Sequence, residues 1–272
     1  RAADFEEEFA VVRAITTGSA EDFKTLRFAV QDVANSTEHA SNKVLKAATV
    51  LGRAGFQAKE IGEALKTVGD LATAGSLDIS AAAELSVRML RSFGMELKDL
   101  RRISNMLATA SASANVTIRS LAEGFKFTGA IAETVGLEFS DVTTALSLLG
   151  ETGLEAGLAG RALQAMIMDL SKPSNQAKIT LGRMGIMIHK VSGEMLSMST
   201  ILRQLKEANM SAADSFTIFN RNSARAVTAL VRNISKYDQF ETTVTKGTTA
   251  LEKQSETIRD TYNKQLKALG NN

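Results

Sequence analysis

The stretch Leu121–Leu149, LAEGFKFTGAIAETVGLEFSDVTTALSLL, decides the fold. Leu121, Phe125, Thr128, Ala132 and Val135 follow one another at intervals of three or four residues. A helix turns once per 3.6 residues, so these side chains share one face. Gly136 ends the pattern where a left-handed residue would close the helix. Ser140 with Asp141 reads as the cap and first turn of a second helix, Val142 to Leu149. The stretch is a helix, a glycine stop and another helix.

The same pattern extends outward in both directions. Phe5, Phe9 and Val12 mark a first helix, and Phe23, Leu26, Val30 and Val33 a second. Ile61, Leu65, Val68 and Ala72 line a third, closed by Gly75. Leu85, Met89 and Phe93 follow up to Gly94, then Leu100, Ile103, Leu107 and Ala110, and later a helix from about Glu155 to Leu170. A glycine followed by a large apolar residue recurs at Gly55-Phe56, Gly94-Met95, Gly136-Leu137 and Gly185-Ile186. Leu71-Ala72-Thr73-Ala74 returns as Leu107-Ala108-Thr109-Ala110. Such spacing is what stacked helical-hairpin units produce, or what chance produces in an alanine-rich helical chain.

Composition agrees with helices. Of 272 residues one is proline, none is tryptophan and 5% are aromatic. Interior proline costs a helix about 3 kcal/mol, so a chain without it can run helix after helix. With few aromatics, the core is expected to be thin and held through Ala, Gly, Ser and Thr. The 44% hydrophobic fraction suits a folded chain. The net charge of +2, with no Lys/Arg cluster interleaved with aromatics, argues against a dedicated nucleic-acid binder. The acidic start (Asp4, Glu6, Glu7, Glu8) is the reverse of a secretory signal. The longest uncharged stretch, Ile103 to Ile118, carries Ser104, Asn105, Thr109 and Asn115, which is too polar for a membrane span. Opening on Arg1 rather than Met, the sequence reads as a piece of something longer.

The expected architecture is all-α. It comprises N-terminal helices over 1–39, a helical-hairpin core over 40–175, a β-hairpin with helices over 176–235, and a heptad-like helical tail over 236–272. The β-hairpin rests on Ile186, Ile188 and Val191 alternating with Met187, His189 and Ser192, turning near Ser192-Gly193 and returning to about residue 196. Ser211 and Asp214 have capping-box spacing. In the tail, Val244, Leu251 and Ile258 are seven apart, as are Thr248, Ser255, Tyr262 and Leu269. Val244, Leu251, Ile258, Tyr262 and Leu269 therefore form a candidate self-association seam; a solvated tail helix is the alternative.

Chemistry is sparse. With no cysteine there is no disulfide, thiolate or Cys-based zinc site. The two histidines, His39 and His189, stand alone, without HExxH or a similar ligand set. No GxSxG elbow accompanies the serines. Gly150, Gly153, Gly157 and Gly160 form the one glycine-dense stretch, but no GxxxxGK[ST] phosphate loop is present and the preceding segment is helical. Small residues there let two helices approach closely. No catalytic, cofactor or metal residue is assigned.

Gly153–Leu170, GLEAGLAGRALQAMIMDL, followed by Ser171-Lys172-Pro173, resembles the core motif of the phage tail tape measure protein family. Leu71 to Ser80, Leu121 to Leu149, Leu181 through Gly193, and Ile218-Phe219-Asn220-Arg221 resemble further family segments in matching order, covering roughly residues 40 to 235. Asn220 stands where the family has glycine, a substitution that fits a left-handed turn. His189-Lys190 stands where an acid is common. The resemblance implies a structural, non-enzymatic virion protein, made in the host cytoplasm and housed in the tail lumen. It implies a protein that sets tail length, templates tube assembly and leaves during genome ejection. The implied partners are tail tube protein, tail assembly chaperones, tail-tip proteins and further copies of itself; no cofactor or specific nucleic acid is implied. Membrane contact during ejection, by helices aiding DNA passage through the host envelope, is the alternative function, although the helix faces lack the Lys/Arg-plus-Trp pattern of surface binders. A cell-wall hydrolase is a third class, for which no catalytic motif is present.

Overall fold

A computed structural model describes residues 2–37 and 39–270, with side chains described over 5–37 and 39–263. In chain order the helices are α1 (Ala2–Ile15), α2 (Ala20–Ser36), α3 (Ser41–Arg53), α4 (Ala58–Gly75), α5 (Ile79–Ser92), α6 (Leu100–Ser113), α7 (Ile118–Thr134) and α8 (Phe139–Glu151). They continue as α9 (Ala156–Ser171), α10 (Asn175–Arg183), α11 (Met198–Glu207), α12 (Ala212–Ile218), α13 (Arg221–Arg232), α14 (Ile234–Lys246) and α15 (Ala250–Gly270). Among the described residues there is no strand.

One turn is used repeatedly to join them. At Gly136 the backbone has φ +78°. The Leu137 N–H donates to the Ala132 carbonyl and the Gly136 N–H to the Glu133 carbonyl, satisfying carbonyls that a helix end leaves open. Glu138 is already the N-cap of α8, and its N–H donates to the Asp141 carboxylate at 3.1 Å. The helix therefore starts earlier than a cap at Ser140 would place it. The same three-residue join, left-handed residue, apolar residue, N-cap, occurs at Gly55-Phe56-Gln57, Gly94-Met95-Glu96 and Gly153-Leu154-Glu155. It occurs also at Ser76-Leu77-Asp78, where Ser76 rather than Gly75 takes the left-handed conformation at φ 49°. Leu77 fixes that register by donating to the Ala72 carbonyl at 2.8 Å.

The chain divides into two compact units, 1–108 with 248–272, and 109–247. In the first, α1 packs on α3, α2 on α4 and α3 on α5, so each of these three helices meets the next but one more extensively than its immediate successor, while α4 packs on α5. Its core includes Leu26, Leu51, Ile61, Leu65, Val68 and Leu90. The joins thus make corners rather than simple hairpins, and α15 lies against α4 in the same unit. In the second unit α7 packs on α9, with α8 contacting α7, α9, α13 and α14. Every residue of α8 from Phe139 to Leu149 is buried. A helix enclosed on all sides should be apolar all round. Here two of its hydroxyls turn inward on the backbone: Thr143 donates to the Phe139 carbonyl at 2.8 Å and Ser147 to the Thr143 carbonyl at 2.7 Å.

The expected β-hairpin near 186–196 is not formed. His189 and Met195 make one isolated antiparallel bridge, flanked by Lys190 N–H to Glu194 O and Leu196 N–H to Ile188 O. The pairing stops there for a visible reason. The Gln204 side-chain amide takes both backbone groups of Met187, accepting at 2.7 Å and donating at 3.0 Å. The Met195 N–H donates to the Val135 carbonyl instead of to a partner strand. The alternating pattern marks a pinned loop whose apolar members Ile186, Ile188 and Met195 are buried.

Candidate functional site

The four glycines of the dense stretch do different jobs. Gly160, in α9, faces Gly124 in α7: a Cβ on Gly160 would lie 2.7 Å from the Gly124 carbonyl oxygen and 2.9 Å from its Cα. Gly150 ends α8 where a Cβ would lie 2.5 Å from Val116 Cγ1. Gly153 is the left-handed turn residue at φ +89°, with open space beside it. Gly157 would meet only the Glu155 carboxylate and Arg161, at ordinary contact distance. Its N–H, with that of Leu158, donates to the Glu155 carboxylate, which holds that acid below the usual carboxylate range. Gly124 is the partner that sequence reasoning did not single out; its signal is the small residue repeated at Gly124, Thr128 and Ala132 along one face.

The five tail positions do not line one helix. Val244 belongs to α14 and is buried in the second unit, while Leu251 belongs to α15 and is buried in the first. Gly247 intervenes and ends α14. Ile258 and Tyr262, on α15, are 37% and 50% exposed. The Leu269 side chain lies outside the described residues. Only the step from Val244 to Leu251 crosses the helix break, whereas Leu251, Ile258 and Tyr262 share α15.

Three carboxylates tie helices together, Asp70 and Asp141 buried and Asp169 half-buried. Asp141 is buried, takes the Glu138 N–H on one oxygen and the Met198 N–H on the other at 3.0 Å, and lends its main-chain carbonyl to the Tyr237 hydroxyl at 3.1 Å. Burial pushes its carboxyl upward against the lowering pull of those two amides, and Glu241 nearby is raised by burial and by the Asp141 charge. Asp70, 2% exposed, receives Arg259, Ser255 and Lys66, which locks α15 onto α4. Asp169 accepts from the Asn220 N–H, the Asn220 side-chain amide and the Ser223 hydroxyl, at 3.0, 2.9 and 2.6 Å. Asn220 is the N-cap of α13 at φ −74°, extended rather than left-handed. Asparagine stands there because its side chain caps the helix and meets Asp169. The signal for Asp70 was an acid inside the apolar run Leu65, Val68, Leu71.

These arrangements hold helices together. Among the described residues no group of three His, Cys, Asp or Glu side chains could hold a metal ion, and no helix is long and apolar enough to cross a membrane. His39 is buried after α2, and His189 is exposed on the pinned loop. The arrangement is one of surfaces and packing.

Comparison with known proteins agrees with that. The family described as "Phage-related minor tail protein" matches residues 27–221. A protein named "Tape measure protein" from Pneumococcus phage Dp-1 is similar over 274 aligned residues, 23% identical, covering 98% of this chain and 24% of that protein. The chain thus spans about a quarter of the length of the curated relative it matches. No solved structure matches.

Proposed function

The chain belongs to the phage-related minor tail protein family, and from that membership we propose that it is one segment of a tape measure that sets tail length, templates assembly of the tail tube around it and leaves during genome ejection. The observation that carries the reading is the nearly end-to-end similarity of this chain to part of a tape measure protein. The physical character of the chain supports it. Helix follows helix with almost no other element, and a helix converts residue number into length at 1.5 Å per residue. Asp70, Asp141 and Asp169 are committed to joining helices or the segments between them. In this reading the segment works in the tail lumen and contacts tail tube protein, assembly chaperones and tail-tip proteins through its surface. The test is an in-frame deletion of these 272 residues from the parent gene, with tail length and infectivity as readouts. Shortened tails or failed assembly are expected; tails of unchanged length and full infectivity would overturn the length-setting role of this segment.

A further inference from the structure

In the second unit, α11, α12 and α13 enclose a groove of about 680 Å³. It exists because α12 is short and buries only Ile218, leaving its other apolar residues to face outward. Phe216 is 76% exposed in the groove, and Met210, Ala224, Val227 and Val231 complete an apolar lining. Lys206 and Arg232 stand on its rim. A contiguous apolar lining of this kind, rather than a single exposed ring, is what marks a contact surface.

The charge beside the groove is mostly positive. Arg221, Arg225, Thr228 and Arg232 follow at intervals of four, three and four, so they run along one exposed side of α13. Several acids of the same unit are already committed: Asp214 to Arg183 at 2.5 Å, Asp238 to Arg203 at 2.9 Å, Glu151 to Lys236 at 2.5 Å, and Asp169 to Asn220 and Ser223. Among the described residues Arg221, Arg225, Arg232 and Lys206 form no ion pair, and Glu207 is the one uncommitted acid on these three helices. An apolar trough flanked by unpaired cations matches an amphipathic helix whose apolar stripe is bordered by carboxylates. A nucleic acid would use the arginines but not an aliphatic floor. Single-strand binding would need successive aromatic platforms, and Phe216 stands alone.

We propose that the α11–α13 groove is the docking site for an acidic amphipathic helix of another tail component, with Phe216 as the apolar anchor and Arg221, Arg225 and Arg232 reading the acidic flank. The proposal rests on the tail-protein reading only for where the partner comes from. It is tested on the whole chain with a fluorescent helical peptide of about 18 residues, long enough to hold a helix, with leucines along one face and glutamates on both flanks. Controls are the same composition in scrambled order, lysine in place of glutamate, and single- and double-stranded oligonucleotides. The expected result is saturable binding of the acidic peptide that added salt weakens. Phe216→Ser should weaken it about ten-fold or more, as should the combined Arg221→Glu, Arg225→Glu and Arg232→Glu. All four positions are exposed, so circular dichroism should show the variants folded. Equal binding of ordered and scrambled peptides would overturn the proposal. So would oligonucleotide binding that Phe216→Ser leaves untouched while the acidic peptide fails to bind. Failure here would leave length setting standing, because the peptide assay involves no tail; unchanged tail length after deletion would leave the groove standing.

Discussion

At Gly136 two constraints coincide on one atom that is not there. The backbone holds φ at +78°, and a Cβ would lie 2.9 Å from both Cβ and Cγ of Glu194 on the pinned loop. Gly153 has the same backbone, at φ +89°, with nothing within reach. Gly153→Ala should therefore cost the left-handed penalty alone, about 1–2 kcal/mol, and Gly136→Ala more than that, in urea denaturation. Ser76, left-handed at 49° without being glycine, gives the opposite sign: Ser76→Gly should raise stability by up to about 1 kcal/mol. A destabilised Ser76→Gly would show that its hydroxyl, not its backbone, matters at the corner. Charge acts at single residues too. Glu155 is held low by the Gly157 and Leu158 amides, so its stabilisation is present above the unfolded-state value and is lost as pH falls through the folded value. Stability curves of the native chain and Glu155→Gln should converge on acidification; a gap that stays constant with pH would refute the assignment. Asp141 has the reverse sign, since burial raises it: its contribution declines as pH rises from the unfolded value through the folded one.

Between elements, α7 meets α9 backbone to backbone at Gly124 and Gly160, and that contact separates two glycines that the sequence offers as equals. Gly160→Ala would drive a methyl into the Gly124 backbone, and overpacking of that kind costs about 1–3 kcal/mol. Gly157→Ala, three residues earlier, meets only side-chain tips at 3.4 Å and beyond. It should be neutral or gain up to about 1 kcal/mol from helix propensity. Thermal melts of the two variants decide it: equal losses would show that the stretch is glycine-rich for some reason other than this contact. The helices themselves were legible, because the 3.6-residue period and the glycine stop act locally. Gly55, Gly94, Gly136 and Gly185 all have positive φ. What was not legible was set by distant partners. No pattern over 186–196 announces that Gln204 will occupy the backbone of Met187. Nor does a seven-residue spacing register that Gly247 ends α14 between Val244 and Leu251. The interior roles of Asp70 and Asp141 belong to the same class, since their partners Arg259 and Met198 lie far along the chain.

For the molecule as a whole, the proposed length-setting role raises the question of how a folded chain could measure length. Its longest helix, α15, has 21 residues and so spans about 32 Å, whereas all 272 residues in one unbroken helix would span about 400 Å. A compact unit of roughly 140 residues has a diameter on the order of 40 Å. The two limits predict different tails. If the segment is drawn out as continuous helix inside the tube, its in-frame deletion should shorten the tail by about 400 Å. If the corners persist, each unit should contribute only on the order of 40 Å. Electron micrographs of deletion-mutant tails measure the difference directly. Deleting 109–247 alone, the second unit, repeats the comparison on one unit at the same ratio: a drawn-out chain loses about 200 Å, a folded one about 40 Å. The left-handed corners favour the smaller figure, because each one ends its helix with satisfied carbonyls and restarts the next with a capped N-terminus. Straightening a corner forfeits both sets of bonds. A full-helix loss would mean that assembly supplies enough contact energy to open every corner, and an unchanged tail would mean that this segment does not count toward length at all.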